Sequence, residues 1–274
     1  MNSSVTVKSQ YIAGIENLID SQLEKFEKNA SITNRNSIPS DGNFPLNSWY
    51  KIPDVICLYV DIRNSTGLSA TSHDCSTASV YELFTGTAVR IFHEFEAPYV
   101  DVSGDGVFAV FNSTQPHRAI ATAVTFKTFA ENIFMKKVNA KIKNVDIGVH
   151  IGLDTKTVLV KQIGIKDHDS RDSRKNEVWA GKPINMAAKL AAMSKDDELW
   201  CSERFYNLVK DSDLVTMSCG CSGGEETGVK SMLWTEKNVS QENKFDFDKA
   251  YILKSQWCKI HGKEWCEGII NLDG

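Results

Sequence analysis

No apolar run in this 274-residue chain approaches the ~20 residues that span a bilayer, and the opening MNSSVTVKSQ lacks the apolar segment of a secretion signal. Both absences lead us to expect a cytoplasmic protein with no membrane partner. Excess positive charge is missing too. Lys+Arg 31 against Asp+Glu 35 leaves a net charge of -4, so no basic footprint speaks for nucleic acid, and any phosphate binding must be local. The seven cysteines are odd in number and scattered, with Cys57 inside an apolar run, which argues against a disulfide framework and for reduced thiols. Repeats and low-complexity segments are absent. What the chain does have is 42% hydrophobic residues, enough at this length to bury roughly three-quarters of the unfolded surface, in one large or two ordinary domains.

The organising stretch is residues 100–111, VDVSGDGVFAVF, two alternating apolar runs that meet at Gly104-Asp105. A Gly-Asp pair in that setting predicts a two-residue hairpin with a carboxylate at its tip. A second strand-like run, residues 54–62 (DVICLYVDI), stays apolar and β-branched until Asp61 near its end. Taken singly, Asp61 is explained as a helix cap and Asp105 as a turn residue. If the two strands are neighbours, however, the carboxylates converge, and two uncompensated carboxylates attract hard divalent ions that take oxygen ligands.

Residues 10–29 place Ile12, Ile15, Leu18, Ile19, Leu23 and Phe26 at helical spacing, giving one apolar face that needs a partner surface. Residues 30–50 read as loop or linker. From 54 to about 236 strands and helices alternate: the first strand, a helix carrying Val80, Leu83, Phe84, Ala88, Ile91, Phe92 and Phe95, the hairpin, a helix over 118–138, and strands over 145–152 and 156–164. A polar loop at 167–176 follows, then a short strand and helix over 177–193, and outer strands at 198–201 and 229–234. We therefore expect an N-terminal helix and linker (1–50), a catalytic-type domain (51–236) and a C-terminal extension (237–274). The order strand, helix, hairpin, helix, strand is that of a ferredoxin-like α+β layer, a mostly antiparallel sheet with helices on one face.

Four motifs in this order, YVDIRNSTGLS (59–69), SGDGVFAVF (103–111), IGVHIG (147–152) and VWAGKPINMAAKL (178–190), resemble the class III nucleotidyl cyclase catalytic domain over residues 54 to about 235. The resemblance implies a homodimer with shared active sites and a nucleoside triphosphate as substrate. It places Asp61, Asp105 and the Ile62 carbonyl on two divalent metal ions, Mn²⁺ or Mg²⁺. Asn185 would orient the ribose from the other chain. Lys189, four residues later on the same helix face, stands where the family usually has a transition-state arginine; it keeps the charge but not the planar fork. Asp101, Tyr59 and Val178 fall against the base, with Glu177 replacing Val178 if Ala180 is an insertion. Neither choice completes the polar pair by which adenylate and guanylate cyclases read a purine.

A stand-alone cyclase with a non-purine pocket looks like the pyrimidine cyclases of Pycsar anti-phage systems, which implies UTP, then CTP, as substrate. Open alternatives are a purine cyclase of general signalling and an inactive nucleotide-binding regulatory module. A ferredoxin-like nucleic-acid binder is disfavoured by the charge and by the lack of aromatic stacking motifs. Lys230 reads as a surface lysine and His150 as structural. The tail Cys258-x2-His261-x4-Cys266, with Cys219 and Cys221 upstream, offers zinc-type ligands at a spacing that matches no standard pattern, so ordinary packing is the expectation there.

Overall fold

Strand β2 (Trp49–Arg63) is the middle of the molecule, and both of its faces are buried. Ile56, Leu58, Val60 and Ile62 point to one side and Val55 and Cys57 to the other, the period of two that a strand imposes. The computed structural model describes residues 14–274 apart from 16, 18, 144, 165–174 and 223. Most of the expected polar loop, and the first residues of the expected N-terminal helix, lie outside the described residues.

In chain order the elements are β1 (Ile32–Asn34), β2, α1 (Ser65–Thr71), α2 (Asp74–Glu94), β3 (Tyr99–Ser103), β4 (Gly106–Phe111), α3 (Pro116–Phe129) and, after a π-helical turn at Ala130–Phe134, α4 (Met135–Lys141). Then come β5 (Gly148–Gly164), β6 (Lys175–Gly181), α5 (Lys182–Ala191), β7 (Leu199–Ser202), α6 (Glu203–Val209), α7 (Asp213–Thr216), β8 (Cys221–Ser222), β9 (Glu225–Glu226), β10 (Trp234–Asn238), β11 (Lys249–Leu253) and α8 (Gly262–Ile270). The sheet runs β10-β11-β7-β5-β2-β4-β3, antiparallel except where β5 meets β7, with β1 parallel beside β2 and β6 antiparallel beside β5.

Helix α2 buries Val80, Phe84, Ala88 and Phe92, one residue per turn, onto the Ile56 face of β2. Phe84 meets Phe126 of α3 edge to face at 5.4 Å, and burial of each ring contributes about 1.5–3 kcal/mol. Pro116 suits the first turn of α3, and Asp273 caps it by accepting from His117 N at 3.0 Å and Arg118 N at 2.7 Å. Helix α5 lies on the opposite face of the sheet, where an ideal Cβ at Gly152 would come within 2.1 Å of the Ala187 carbonyl oxygen. Only glycine permits that approach.

Three expectations need correction. The two strands expected at 145–152 and 156–164 are one continuous β5, because Asp154 does not break it: buried in mid-strand, it pairs with Arg204 at 2.7 and 2.5 Å. The strand expected at 229–234 begins only at Trp234. The boundary at 236 cuts the sheet, since β11 inserts between β10 and β7. Within 30–50, Ile38 and Phe44 are buried, and Ile38 N–H donates to Asn112 Oδ1 at 2.8 Å. Described residues between 14 and 27 are helical and leave Ile15, Ile19, Leu23 and Phe26 exposed on this single chain. Among the described residues no helix is long and apolar enough to cross a membrane.

Candidate active site

The hairpin forms as expected, with Ser103 paired to Gly106 and Gly104 at φ 65°. Its second strand, β4, lies directly against β2, Val60 opposite Val107, so the tip carrying Asp105 sits beside the strand end carrying Asp61. The two carboxyls interact. Burial first, and the Asp105 charge second, push the Asp61 carboxyl up to about 7. Asp61 Oδ1 is buried and, among the described residues, has no hydrogen-bond partner. An acceptor that a fold leaves unpaired inside the protein costs about 1–3 kcal/mol, which a cation would relieve. The donor set, two carboxylates and main-chain oxygen, is the hard-ligand type that suits Mg²⁺ or Mn²⁺. Ile62 turns its side chain into the core on the other face, so its contribution to such a site is limited to the main chain.

Neighbouring residues hold this end of β2 in place. Arg63 grips Asp196 at 2.8 Å and Asp146 at 2.8 Å. Tyr59, two residues before Asp61, shares its face, and an ideal Cβ at Gly106 would fall 2.3 Å from the Tyr59 hydroxyl. Gly106 therefore makes room for the phenol beside the carboxylates. Burial, followed by the charges of Asp61 and Asp105, pushes that phenol up to about 12. His150 stands across from Asp61 in the sheet, and its Nδ1 lies 2.9 Å from the Ser194 carbonyl oxygen, an anchoring contact that agrees with a structural reading.

Further along this face is an aromatic group with no periodic signal in the sequence. Trp179 of β6 packs on Tyr99 at 4.9 Å and on Phe44 at 5.2 Å. Its indole Nε1 is buried and, among the described residues, without a hydrogen-bond partner. Asp101 is two residues along β3 from Tyr99 and shares its face. The strand alternation also separates the two candidates at the second base position. Glu177 lies on the Trp179 side, with Tyr99 Oη at 3.5 Å and Gln162 Nε2 at 3.2 Å, whereas Val178 is on the opposite side and 36% exposed. The face thus presents Asp101 and Glu177 together, with Val178 turned away.

Asn185 and Lys189 are on α5, but not toward this site. The helix buries Pro183, Met186, Ala187, Leu190 and Ala191 against its own sheet, and Asn185 is exposed on the side away from it. Lys189 donates to the Lys244 carbonyl at 3.0 Å. A residue on the outer face of α5 cannot reach carboxylates on the sheet beneath the same helix. Lys230, for its part, sits 5.9 Å over the Trp265 ring of α8, a surface contact.

No family model matches the chain. Curated relatives do. A uridylate cyclase of Propioniciclava tarda is 35% identical over 236 residues, 85% of this chain and 73% of that protein. A uridylate cyclase of Micromonospora echinofusca is 32% identical over 225 residues, 81% of this chain and 71% of that protein. Among solved structures, the adenylyl cyclase CyaB from P. aeruginosa matches over 76% of this chain and 97% of its own, with a TM-score of 0.58 at 15% identity. Identity at this level across most of both chains, on a fold shared with an adenylyl cyclase, places the chain in the uridylate cyclase family of class III nucleotidyl cyclases.

Proposed function

We propose that the protein converts UTP to 3′,5′-cyclic UMP and pyrophosphate in a homodimer, each site taking Asp61 and Asp105 from one chain and Asn185 and Lys189 from the other. The observation that carries this reading is the pair of interacting carboxylates, with the unpartnered Asp61 oxygen, on the same face as Asp101 and Glu177. The outward position of Asn185 supports the shared site, because only a second chain can present it to the carboxylates.

Asp61, Asp105 and the Ile62 carbonyl would hold two divalent ions, which when bound acidify the ribose 3′-hydroxyl and neutralise charge on the phosphates. The remaining work is positioning, so no covalent nucleophile is needed. Asn185 holds the ribose so that the 3′-oxygen faces the α-phosphorus in line with the departing pyrophosphate. Lys189 leaves the Lys244 carbonyl and sets its ammonium beside the phosphate oxygens as a point charge. Asp101 and Glu177 only accept hydrogen bonds when ionised, so they suit the N3–H of uracil, and the free Trp179 N–H suits a uracil carbonyl. Tyr59 lies between the base face and the metal-binding carboxylates.

Incubating the purified protein with each nucleoside triphosphate and Mn²⁺, and identifying products by mass, tests this reading. Cyclic UMP should form fastest, cyclic CMP second, and both purine products slowly. Faster turnover of ATP or GTP would overturn it. We further propose that the product acts on the cytoplasmic side as a second messenger of anti-phage defence, a role that rests on the resemblance to Pycsar cyclases alone.

A further inference from the structure

The tail cysteines and histidine, scattered in sequence, are brought to one point. Cys219 and Cys221 lead into the β8–β9 hairpin, and Cys258 and His261 sit in the turn before α8. One ligand atom from each of these four lies within 4.8 Å of all the others. Cys221 Sγ is 3.3 Å from His261 Nδ1, although the two residues are 40 apart in the chain. A zinc tetrahedron with ordinary bond lengths has edges of about 3.4–3.8 Å, so the four donors stand within about 1 Å of that arrangement.

The surroundings are those of a ligand shell. The other imidazole nitrogen, His261 Nε2, meets Glu226 Oε1 at 3.3 Å, and Glu226 is the direct strand partner of Cys221. A carboxylate on the distal nitrogen fixes the tautomer and leaves Nδ1 to ligate. The Ile260 N–H points at Cys258 Sγ at 3.4 Å, a hydrogen bond that stabilises a thiolate. Cys266, also in the tail, stays outside the cluster. Three soft sulfurs and one imidazole, with no open position, suit a structural zinc better than a catalytic one or a hard cation. A disulfide would use two of the three thiols and strand the third beside the histidine.

We infer that Cys219, Cys221, Cys258 and His261 bind one zinc ion that ties the C-terminal segment to the β8–β9 hairpin. The tie has a mechanical reason. Beside the cluster, between α3 and residues 255–259, lies a cavity of about 480 Å³ with Ile120, Val124 and Trp257 among its walls, and Cys219, Cys221 and Cys258 border it, so on this side packing is incomplete and the ion would add a direct link. Past the cluster the chain continues into α8 and on to Asp273, which caps α3. This site is independent of the cyclase reading.

The test is the metal content of the untagged full-length protein, purified under reducing conditions and dialysed against metal-free buffer. About one zinc per chain is expected, falling to below about a tenth in Cys258→Ser and His261→Ala and staying near one in Cys75→Ser, whose thiol lies outside the cluster. Should either cluster variant not fold, cobalt replacement in the wild-type protein decides. Absorption bands of a tetrahedral thiolate site are expected, bleached when thiols are blocked. A wild-type chain that takes up neither zinc nor cobalt, zinc retained in full by folded cluster variants, or an intact mass two hydrogens short from a disulfide would each overturn the inference.

Discussion

Two clusters of ligand-type side chains stand out among the described residues, and they differ in nearly every physical respect. Asp61 and Asp105 are hard oxygen donors on paired central strands, open on one side, with one oxygen unpartnered. The Cys219, Cys221, Cys258 and His261 group is soft, four-membered and carried on turns at the periphery. In the proposed reading, the site that exchanges substrate and ions sits on a rigid sheet and supplies few protein ligands. A site that only joins segments can draw all its ligands from loops and close around its ion.

Brief chelation separates the two most sharply. EDTA should abolish turnover by about 10³-fold or more with no change in thermal midpoint, and Mn²⁺ should restore it, because the oxygen ligands bind the ions weakly. A stronger chelator or thiol blocking should instead lower the midpoint by several degrees, as loss of a ligand bound only to the folded state does. If EDTA lowers the midpoint and activity together, the division between the two sites fails.

Mixing dead variants probes the catalytic cluster alone. Asp105→Asn and Asn185→Ala should each be inactive, and an equal mixture with free subunit exchange should recover about a quarter of wild-type turnover, since half the dimers then carry one intact site. A mixture that stays dead under demonstrated exchange contradicts the shared site.

Base selection is a smaller effect. Asp101→Lys or Glu177→Gln should erode the preference for UTP by about ten- to hundredfold, the value of leaving one buried donor or acceptor unmatched. Val178→Ala, on the far side of β6, should leave the ratio of UTP to ATP turnover unchanged. A shift in the last variant with none in the first two would reverse the placement.

The smallest effect concerns Asp246, which binds Lys156 at 2.9 Å, Lys182 at 2.7 Å and Arg204 at 3.0 Å and so braces α5. Its partial burial works against ionisation, but hydrogen bonds from Lys182 and Lys156 outweigh it and hold the carboxyl below its usual range. A depressed carboxyl stabilises the fold above its unfolded value, about 4, and the gain is lost as pH falls through the folded value. The midpoint difference between wild type and Asp246→Asn should therefore be full at pH 7 and shrink below about pH 4. A constant difference would remove the charge network from the explanation.

How much of this could be read beforehand follows the distance over which each feature is encoded. The hairpin and the two carboxylates at strand ends are local signals, a Gly-Asp pair between alternating runs and a carboxylate closing an apolar strand, whereas the meeting of Asp61 with Asp105 needs β2 to pair with β4. That β5 runs on through Asp154 is not encoded locally, because the partner of Asp154, Arg204, lies 50 residues away and only the fold buries the two together. Which of Glu177 and Val178 shares the Trp179 side hinges on strand parity, which one inserted residue flips and which the pairing of β6 with β5 makes visible. Zinc-type ligands were visible in the tail, but their spacing was uninformative because the site is assembled from separate turns.

UTP turnover with Mn²⁺, compared in wild type, Asp61→Asn and Asp105→Asn, tests the catalytic assignment most directly. Each substitution removes a charge but keeps the shape, so thermal midpoints should not fall while cyclic UMP formation drops by about 10³-fold or more. Near-normal turnover in either folded variant would contradict the assignment of these carboxylates to the reaction.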